Sequence, residues 1–426
     1  MGLIRQVCLL GILAIVGCTT VHREPAPETM FNTATPVGFE SVDRYVYADP
    51  GAIESRFSAR IERLRSGSKD RTLNILALSG GGAGGAFGAG ALVGLGRRGE
   101  RPQFDIVTGV SAGALIAPFA FLGSTWDAQL ADALSGGRSE HILRSRGIGI
   151  LFHPGVYRSE PLVDLVNHFV TDALIEAVAR QAALGRLLLV ATTDLDKEEA
   201  IIWDMGTIAA HGGEAARTLF RDVLVASASI PGVFSPVVIP VEKAGVRYDE
   251  MHVDAGATVP FFVAPALAYV LPLNAKKLKD ANIYVLINGQ LGSIPETTTF
   301  STISILLRSY STTLKQLART ELALTSEFAQ KYGMNFRLAA VPIDYPFTGP
   351  LDFQESTTRA LFNYGAKCAE AGQLWTTVEQ SIAHSERALS AAREKRQAPE
   401  GPLVPPCPLD VSATPARTSA HPPSDH

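Results

Sequence analysis

The sequence predicts an α/β fold with a largely parallel central sheet and helices on both faces. From Thr72 onward, short apolar runs of strand length alternate with helical patterns, which is typical of strands joined by helical crossovers. The runs are apolar along most of their length, as strands covered on both faces are. They are TLNILAL (72–78), FDIVTGV (104–110), RLLLVATTDL (186–195) and ANIYVLING (281–289).

Length and composition suit one large globular domain with appended segments. The chain has 426 residues, of which 46% are hydrophobic and 19% are charged, so a sizeable core is expected. The net charge of −4 and the lack of any block of Lys and Arg argue against a nucleic-acid partner. The four cysteines are too widely spread to indicate a zinc site or a dense disulfide framework.

The first residues predict a signal peptide at 1–17. Arg5 precedes an apolar run, 6–16, that is short for a membrane span. The run ends in Ile-Val-Gly-Cys, which resembles the lipobox of bacterial lipoproteins and implies that Cys18 is acylated and becomes the mature N-terminus. An ordinary signal peptide is the alternative. Because Thr19 follows in place of aspartate, the resemblance implies a lipid-anchored protein of the bacterial cell envelope, at the outer membrane.

The rest of the chain divides into three predicted parts. Residues 18–70 have the composition of a tether rich in Pro and Thr, followed by a charged helix. Residues 71–378 form the α/β domain. Residues 379–426 begin with a second charged helix and end in a proline-rich tail with few large apolar side chains, which we expect to be disordered.

A glycine-rich stretch, SGGGAGGAFGAG (79–90), follows the first predicted strand, and four interpretations compete. A dinucleotide-binding turn fits the spacing that begins at Gly80, but the acidic residue that it needs, Asp105, lies at the wrong end of its strand. A phosphate loop lacks the Gly-Lys-Ser/Thr that would follow it. A hairpin of spanning helices over 72–96 and 106–126 is opposed by the low helix propensity of glycine. The fourth interpretation, an oxyanion-binding loop, depends on the next motif.

That motif, GVSAG, has the form of a nucleophile elbow. Gly109 and Gly113 flank Ser111 between an apolar strand and an apolar helix. The glycines allow a sharp turn, and the helix N-terminus favours the negative charge that develops during acyl transfer. A tight packing turn without a nucleophile is the alternative.

A serine nucleophile needs a base, and the histidines are poorly placed to supply one. An α/β-hydrolase triad requires an acid and then a histidine after the serine, but only His252 of the nine histidines lies near another suggestive motif. In that motif, MHVDAGA, Asp254 ends a short strand, from which its carboxylate is able to accept the serine proton directly. An Asp that only stabilises the turn is the alternative. The fallback carboxylates are Asp105, Asp194 and Asp196.

Taken in order, the motifs resemble those of the patatin-like phospholipases over about residues 73–262. The matching segments are SGGGAGGAFGAGAL, GVSAG, ATTDLDKEEAIIWDMG and ASASIPGVFSPV (226–237). The resemblance implies a three-layer fold and a Ser–Asp dyad without histidine, with Ser111 as nucleophile and Asp254 as base. The oxyanion hole would be formed by the backbone N–H groups of Gly81, Gly82 and Ala83, where glycines allow close approach to the substrate.

The implied activity is that of a lipid acyl hydrolase, of phospholipase A or lysophospholipase type, that forms an acyl-Ser111 intermediate. It needs no cofactor and no metal. The implied partners are a phospholipid or other acyl-ester substrate and a membrane surface reached through lipidated Cys18. Apolar segments such as 261–263 and 303–307 are expected to be core, to line an acyl channel or to touch the bilayer. The alternative is a patatin-fold lipoprotein that binds lipid or a partner without turnover.

Two positions depart from the family's pattern. The family usually has a basic or other polar side chain where this sequence has Gly84. Its last motif is Asp-Gly-Gly or Asp-Gly-Ala, whereas the motif here is Asp-Ala-Gly, with Ala255 in the middle. If the first glycine of that motif takes a positive φ, Ala255 is expected to strain the turn by about 1 kcal/mol or more.

Overall fold

A computed structural model describes residues 23–31, 33–42, 44–46, 62, 64, 72–147, 154–263, 279–293, 297–394 and 407–408. Within these residues, ten strands form one mixed sheet. The strands are β1 Thr35–Pro36, β2 Arg44–Val46, β3 Asn74–Leu78, β4 Ile106–Gly109, β5 Leu187–Asp194, β6 Glu199–Asp204, β7 Val237–Lys243, β8 Val246–Asp254, β9 Asn282–Ile287 and β10 Asn335–Ala340.

The centre of the sheet consists of five parallel strands in the order β5-β4-β3-β9-β10. Strands β8, β7 and β1 extend it from β5 as an antiparallel edge, and β6 with β2 also joins β5 antiparallel. The four predicted apolar runs are the central strands β3, β4, β5 and β9. Because Leu78 pairs with Gly109, the glycine-rich stretch and GVSAG leave neighbouring strands at the same edge of the sheet.

Helices cover both faces of the sheet. Their bounds are α1 Gly85–Arg98, α2 Ala112–Leu122, α3 Asp127–Leu134, α4 Glu160–Phe169, α5 Asp172–Ala183, α6 Met205–His211, α7 Gly213–Ser227, α8 Thr302–Lys331, α9 Glu355–Glu370 and α10 Val378–Glu394. One hydrophobic cluster contains side chains of α1 to α7 and α9. A second contains side chains of α8 together with residues 261–263, which are therefore core. The predicted three-layer α/β fold is confirmed, with the antiparallel edge as an addition.

Two glycines of α1, Gly90 and Gly94, are explained by a second helix, α9, that packs against it at very short distance. A Cβ atom on Gly90 would lie 1.9 Å from the carbonyl oxygen of Phe362, and one on Gly94 would lie 2.3 Å from that of Ala366. Each glycine in a helix interior costs about 1 kcal/mol relative to Ala. The close packing of the two helices gives that cost a structural reason.

Part of the segment predicted to be a tether, 18–70, is attached to the sheet. Strand β1 pairs with β7, and β2 pairs with β6. Arg23 forms a two-bond ion pair with Asp196, and Arg44 forms one with Glu250. The tether prediction is therefore corrected between residues 23 and 46. Composition did not indicate this attachment, because it depends on strand edges and carboxylates more than 150 residues away in the chain.

A disulfide links Cys368 in α9 to Cys407, and both residues are buried. The wide spacing of the cysteines did not indicate this bond. The prediction of disorder therefore does not hold at Cys407, because a covalent bond to the packed domain holds the chain there. Helix α10 agrees with the predicted second charged helix.

Several predictions concern segments outside the described residues. They include the signal peptide at 1–17, lipidation of Cys18, and the tail apart from 407–408, and they stay predictions. Of the first charged helix, Glu62 and Leu64 are described and are helical. In the part of the chain that the structure describes, no helix is both long and apolar enough to cross a membrane. The residues that suggested a membrane hairpin include β3, α1, β4 and α2 instead.

Candidate active site

Ser111 lies in a sharp turn between β4 and α2. Its φ of 54° and ψ of −122° are unusual for a residue with a side chain, and such strain is the mark of a nucleophile elbow. A Cβ on Gly109 would meet the first turn of α2 at 2.7 Å, and one on Gly113 would lie 2.4 Å from the carbonyl oxygen of Leu78. The Ser111 N–H donates to the hydroxyl oxygen of Ser227 at 3.0 Å, which holds the turn in place.

Asp254 is the last residue of β8 and lies next to Ser111. The Ser111 side chain lies close enough to the Asp254 carboxylate to favour its ionised form, and both residues line one cavity. The N–H of Gly256 donates to Asp254 Oδ1 at 2.7 Å, and the N–H of Asp254 itself donates to the carbonyl oxygen of Ser229 at 2.9 Å. Ser111 and Asp254 are only 5% and 2% exposed. The structure thus brings the predicted pair together with no histidine between them.

The surroundings of Asp254 suit a base that works near neutral pH. Burial raises the pKa of Asp254 to about 7, against the hydrogen bonds from Ser111 and Gly256, which favour the ionised form. A base with a pKa near the working pH is partly ionised and still has a high affinity for the proton that it accepts. Asp254 is therefore able to take the Ser111 proton and to return it later in a reaction.

The glycine-rich stretch passes directly in front of Ser111. A Cβ on Gly80 would lie 3.2 Å from Ser111 Cβ and 3.8 Å from its Oγ. Gly82 has a φ of +55°, which favours glycine, and a Cβ there would lie 2.0 Å from the carbonyl oxygen of Pro350. Only bare backbone fits between the nucleophile and the segment around Pro350.

Two of the three predicted oxyanion donors are available. The N–H groups of Gly81 and Gly82 make no hydrogen bond within the described residues. The N–H of Ala83 donates instead to the carbonyl oxygen of Pro350 at 2.8 Å. The prediction for Ala83 is therefore corrected, because a distant loop already uses its donor.

Asn288 explains the departure at Gly84. A Cβ on Gly84 would lie 2.1 Å from the backbone carbonyl oxygen of Asn288, and one on Gly81 would lie 1.8 Å from the same oxygen. The Asn288 side chain donates to the carbonyl oxygen of Ser79 at 2.7 Å, so it is fixed against the loop. The space in which the family's polar side chain would begin is filled by this backbone.

Ala255 does not strain the turn after Asp254. The chain there forms a 3-10 turn, Ala255–Ala257, and Ala255 has no positive φ. Its methyl group is buried in the hydrophobic cluster beneath α8. The expected strain is therefore absent, because this turn does not need glycine in its first position.

The dyad and the glycine loop open into a cavity of about 640 Å³. That volume lies within the usual range for small-molecule sites. One wall is a face of α8, in which every third or fourth residue from Ser304 to Ala318 lines the cavity, and another is the loop 347–352. The lining is mostly apolar but includes the cations Arg308 and Lys315. Such a cavity suits an apolar molecule with a polar group.

Two of the fallback carboxylates have structural partners. Asp105 accepts the N–H of Asn74 at 2.9 Å and so joins the beginnings of two neighbouring strands. Asp196 forms its ion pair with Arg23. Neither carboxylate lines the cavity, so neither competes with Asp254 for the role of base.

The third, Asp194, belongs to a buried cluster with Glu250 and His252, whose possible ligand atoms lie within 4.8 Å of one another. Lys197 lies 3.0 Å from Asp194 and 2.8 Å from Glu250, and Arg44 also pairs with Glu250. Burial alone would raise the pKa of Glu250, but the hydrogen bond to His252 and the charges of Arg44 and Lys197 hold it well below its usual range. Two cations already balance the two carboxylates, so the cluster is an ion-pair network rather than a metal centre.

Three residues of the site were missed in the sequence, namely Asn288, Tyr310 and Pro350. Asn288 directly follows β9, and the carboxyl ends of parallel strands are where ligand-binding residues collect, so this signal was usable. Tyr310 and Pro350 belong to a helix and a loop about 200 residues or more after Ser111. No local pattern marks them, because they reach the site only through tertiary packing.

Comparison with known proteins agrees with the ordered motifs. The family model described as Patatin-like phospholipase matches residues 76–267, which include Ser111 and Asp254. No curated protein matches the sequence.

Two solved structures show a weak similarity. VipD from Legionella pneumophila is 12% identical over 76% of this chain and 76% of that chain, with a TM-score of 0.29. Human GIVD cytosolic phospholipase A2 is 11% identical over 84% of this chain and 66% of that chain, with a TM-score of 0.34. These two similarities are too weak to identify a family, whereas the family model and the ordered motifs coincide in one part of the chain. The chain carries, at residues 76–267, a domain of the patatin-like phospholipase family.

Proposed function

We propose that this protein is a lipid acyl hydrolase that uses Ser111 and Asp254 as a catalytic dyad. The observation that carries the proposal is the close approach of a strained, buried serine to a carboxyl whose pKa is raised to about 7. A mostly apolar cavity beside the pair and the family of the domain favour a lipid ester as the substrate. The reaction class is that of a carboxylic-ester hydrolase.

The reaction runs in two balanced halves. In the first, Ser111 Oγ bonds to the ester carbon while Asp254 takes its proton, and the alcohol oxygen leaves with that proton. In the second, water bonds to the same carbon, Asp254 takes a proton from the water, and Ser111 Oγ leaves and recovers it. The products are the alcohol and a fatty acid.

The N–H groups of Gly81 and Gly82 are the proposed oxyanion donors. They are free of other acceptors in the described structure, and both residues line the same cavity as Ser111. Removing one such donor typically slows an enzyme by about 10²–10³-fold. Glycine is needed at both positions for close packing against Asn288 and Pro350, so the donors are held in place before the substrate binds.

The decisive test measures hydrolysis of p-nitrophenyl acyl esters of several chain lengths. Ser111→Ala and Asp254→Asn are expected to lower kcat by on the order of 10³-fold or more. Ser311→Ala and Asp352→Asn, which change the same residue types elsewhere in the cavity lining, are the matched controls. A fluorophosphonate probe is expected to label the wild type at Ser111. Equal activity in the wild type and both dyad variants would overturn the dyad.

The observation that favoured the alternative function, binding of lipid or a partner without turnover, is absent from the structure. That observation was the strain expected at Ala255, and the residue has no positive φ. A protein that only binds lipid would show neither probe labelling nor turnover above the Ser111→Ala background. The same assays therefore separate the two functions.

An apolar tip beside the cavity fits a partner that is a lipid surface. Phe300 is 99% exposed, Leu306 is 63% exposed and Ile305 is 44% exposed. They adjoin Ser304 and Leu307, which line the cavity, at the beginning of α8. We propose that this apolar tip, Phe300 with Ile305 and Leu306, enters the surface of a bilayer or lipid aggregate from which the substrate moves into the cavity.

The tip is tested by comparing lipid vesicles with soluble esters. The triple variant Phe300→Ser, Ile305→Ser and Leu306→Ser is expected to bind phosphatidylcholine vesicles at least about tenfold more weakly, since each buried apolar side chain contributes about 1.5–3 kcal/mol. Its kcat/KM on a short soluble ester is expected to be unchanged. Unchanged vesicle binding would contradict the proposal.

The matched control for the tip is a triple variant of exposed apolar residues elsewhere, namely Leu184→Ser, Val246→Ser and Ile382→Ser, whose side chains are 65%, 50% and 54% exposed. It is expected to bind vesicles as the wild type does. A loss of binding equal to that of the tip variant would show that general surface hydrophobicity is responsible.

We also propose that the protein is anchored to the bacterial outer membrane through acylated Cys18. The disulfide between Cys368 and Cys407 supports a location outside the cytoplasm, because such bonds persist in oxidising compartments. Metabolic labelling with an alkyne fatty acid tests the anchor. The wild type is expected to be labelled, Cys18→Ser to be unlabelled, and labelling of both would place the acyl group elsewhere.

A further inference from the structure

Tyr310 directs its hydroxyl group into the cavity beside the dyad, and no step described so far uses it. It lies in α8, on the part of the helix that lines the cavity. The hydroxyl oxygen is buried and makes no hydrogen bond within the described residues. A buried hydroxyl without a partner is unfavourable, so its presence here needs a reason.

The hydroxyl lies close to the carboxylate of Asp254. A Cβ on Gly256 would lie 3.1 Å from the Tyr310 oxygen and 3.0 Å from Asp254 Oδ1, so these two oxygens are at most about 6 Å apart. One oxygen atom that accepts from Tyr310 and exchanges a proton with Asp254, at about 2.8 Å from each, spans such a gap. The two oxygens are therefore close enough for a single oxygen atom to contact both side chains.

The phenol keeps its proton when Asp254 is ionised. Burial raises the pKa of Tyr310, and the nearby negative charge of Asp254 raises it further. Tyr310 is therefore a hydrogen-bond donor throughout the pH range in which the dyad works. It is not a second base.

We propose that Tyr310 is a further catalytic residue, whose hydroxyl donates a hydrogen bond first to the leaving alcohol oxygen and then to the water that replaces it. This inference rests on the proposed hydrolase function. Both oxygens bond to the same carbon and exchange a proton with Asp254, so they occupy the same position in turn. A donor at that position serves both halves of the reaction.

The proton balance of the reaction is unchanged by this role. When the bond between the acyl carbon and the alcohol oxygen breaks, the electron pair stays on that oxygen and Asp254 delivers the proton. The Tyr310 hydroxyl stabilises the developing negative charge through a hydrogen bond and retains its own proton. In the second half it holds the water oxygen while Asp254 removes a proton from that water.

The test is Tyr310→Phe, assayed on two esters of one fatty acid. An alkyl ester has a poor leaving group that needs help, whereas p-nitrophenolate leaves without a proton. The variant is expected to lose about tenfold in kcat/KM on the alkyl ester, the effect of one hydrogen bond, and less on the p-nitrophenyl ester. The rate at which a fluorophosphonate labels Ser111 is expected to stay at the wild-type value.

Stability and a second tyrosine separate catalysis from structure. Because the Tyr310 hydroxyl bonds to no described residue, Tyr310→Phe is expected to keep or raise the melting temperature. Tyr332→Phe, which changes the tyrosine directly after the end of α8 and away from the cavity, is the control and is expected to match the wild type on both esters.

Three results would overturn the inference. An active wild type with equal kinetics in Tyr310→Phe on both esters would remove the role while leaving the proposed function intact. An equal loss on both esters together with slower probe labelling would show a structural effect on the whole site. Absence of turnover and of Ser111 labelling in the wild type would overturn the proposed function, and this role with it.

Discussion

Replacing Asp254 by Asn is expected to stabilise the protein at high pH while abolishing its activity. Burial raises the pKa of Asp254 to about 7 from its ordinary value of 3.8. Between about pH 4 and pH 7, the Asp254 carboxyl is therefore protonated in the folded protein but already ionised in the unfolded chain. Stability that depends on this carboxyl is fully present below about pH 4 and is lost as the pH rises through 7.

The size of the effect follows from the shift in pKa. Each unit corresponds to 1.36 kcal/mol, so about three units amount to about 4 kcal/mol at pH 8. Asp254→Asn removes the titrating group and keeps an oxygen that is able to accept the Gly256 N–H. The variant is expected to equal the wild type near pH 4 and to exceed it by up to about 4 kcal/mol at pH 8.

The assay is urea unfolding of both proteins at pH 4, 6 and 8. Other partly buried carboxyls titrate in the same range, since desolvation raises the pKa of Asp222 to about 6 and that of Glu321 to about 7. They are present in both proteins, so the difference between the two isolates Asp254. Asp164→Asn, which changes an exposed carboxyl, controls for the substitution itself.

Activity and stability are expected to change in opposite directions with pH. The kcat/KM of the wild type should rise through about pH 7 as Asp254 becomes the ionised base, while its stability falls. A stability difference that is constant from pH 4 to 8 would refute the buried, proton-binding state of this carboxyl. An activity that falls on passing from pH 6 to pH 8 would refute its role as the base.

Three further predictions concern packing. Gly84→Ala is expected to destabilise the folded protein by about 1–3 kcal/mol through overpacking, because its Cβ would lie 2.1 Å from a backbone oxygen. Gly137→Ala, whose Cβ would have nothing within 4 Å, is the control and should be neutral in urea unfolding. Equal effects of the two substitutions would contradict the packing. Cys407→Ser is expected to cost about 2–4 kcal/mol in the same assay without changing kcat, and no loss would show that the disulfide does not constrain the chain. Lys197→Met is expected to cost about 3–5 kcal/mol, because it removes a cation from a buried ion-pair network that includes Glu250, and a neutral result would argue against that network.

The central strands and the dyad were within reach of sequence reasoning because their signals are local. A buried strand is an apolar run, and an elbow is a serine between glycines at the beginning of a helix, so Ser111 could be placed by itself. Asp254 could be predicted as the base only from the order of motifs along the chain, because an aspartate before a turn of small residues often has only a structural role. The fold of the parallel centre followed from the same local patterns.

The antiparallel edge of the sheet and the α8 wall of the cavity could not be predicted from the sequence, because no local pattern marks them. Strand β1 is two residues long and contains a proline, so only its pairing with β7 reveals it. Tyr310 belongs to a long helix, and nothing in its sequence shows which face meets the dyad. The disulfide joins cysteines 39 residues apart, and spacing alone does not predict such a pair.

Glycine in the oxyanion loop permits a conformation but does not impose it. The absence of a Cβ at Gly81 and Gly82 allows many backbone arrangements, which by itself would leave the donors mobile. The carbonyl groups of Asn288 and Pro350 pack closely against the loop, and that of Pro350 also accepts a hydrogen bond from the N–H of Ala83. Two distant segments therefore select one arrangement from those that glycine permits. The sequence of the loop explains why donors are able to approach a substrate there, and only the packing explains why they are held in place to do so.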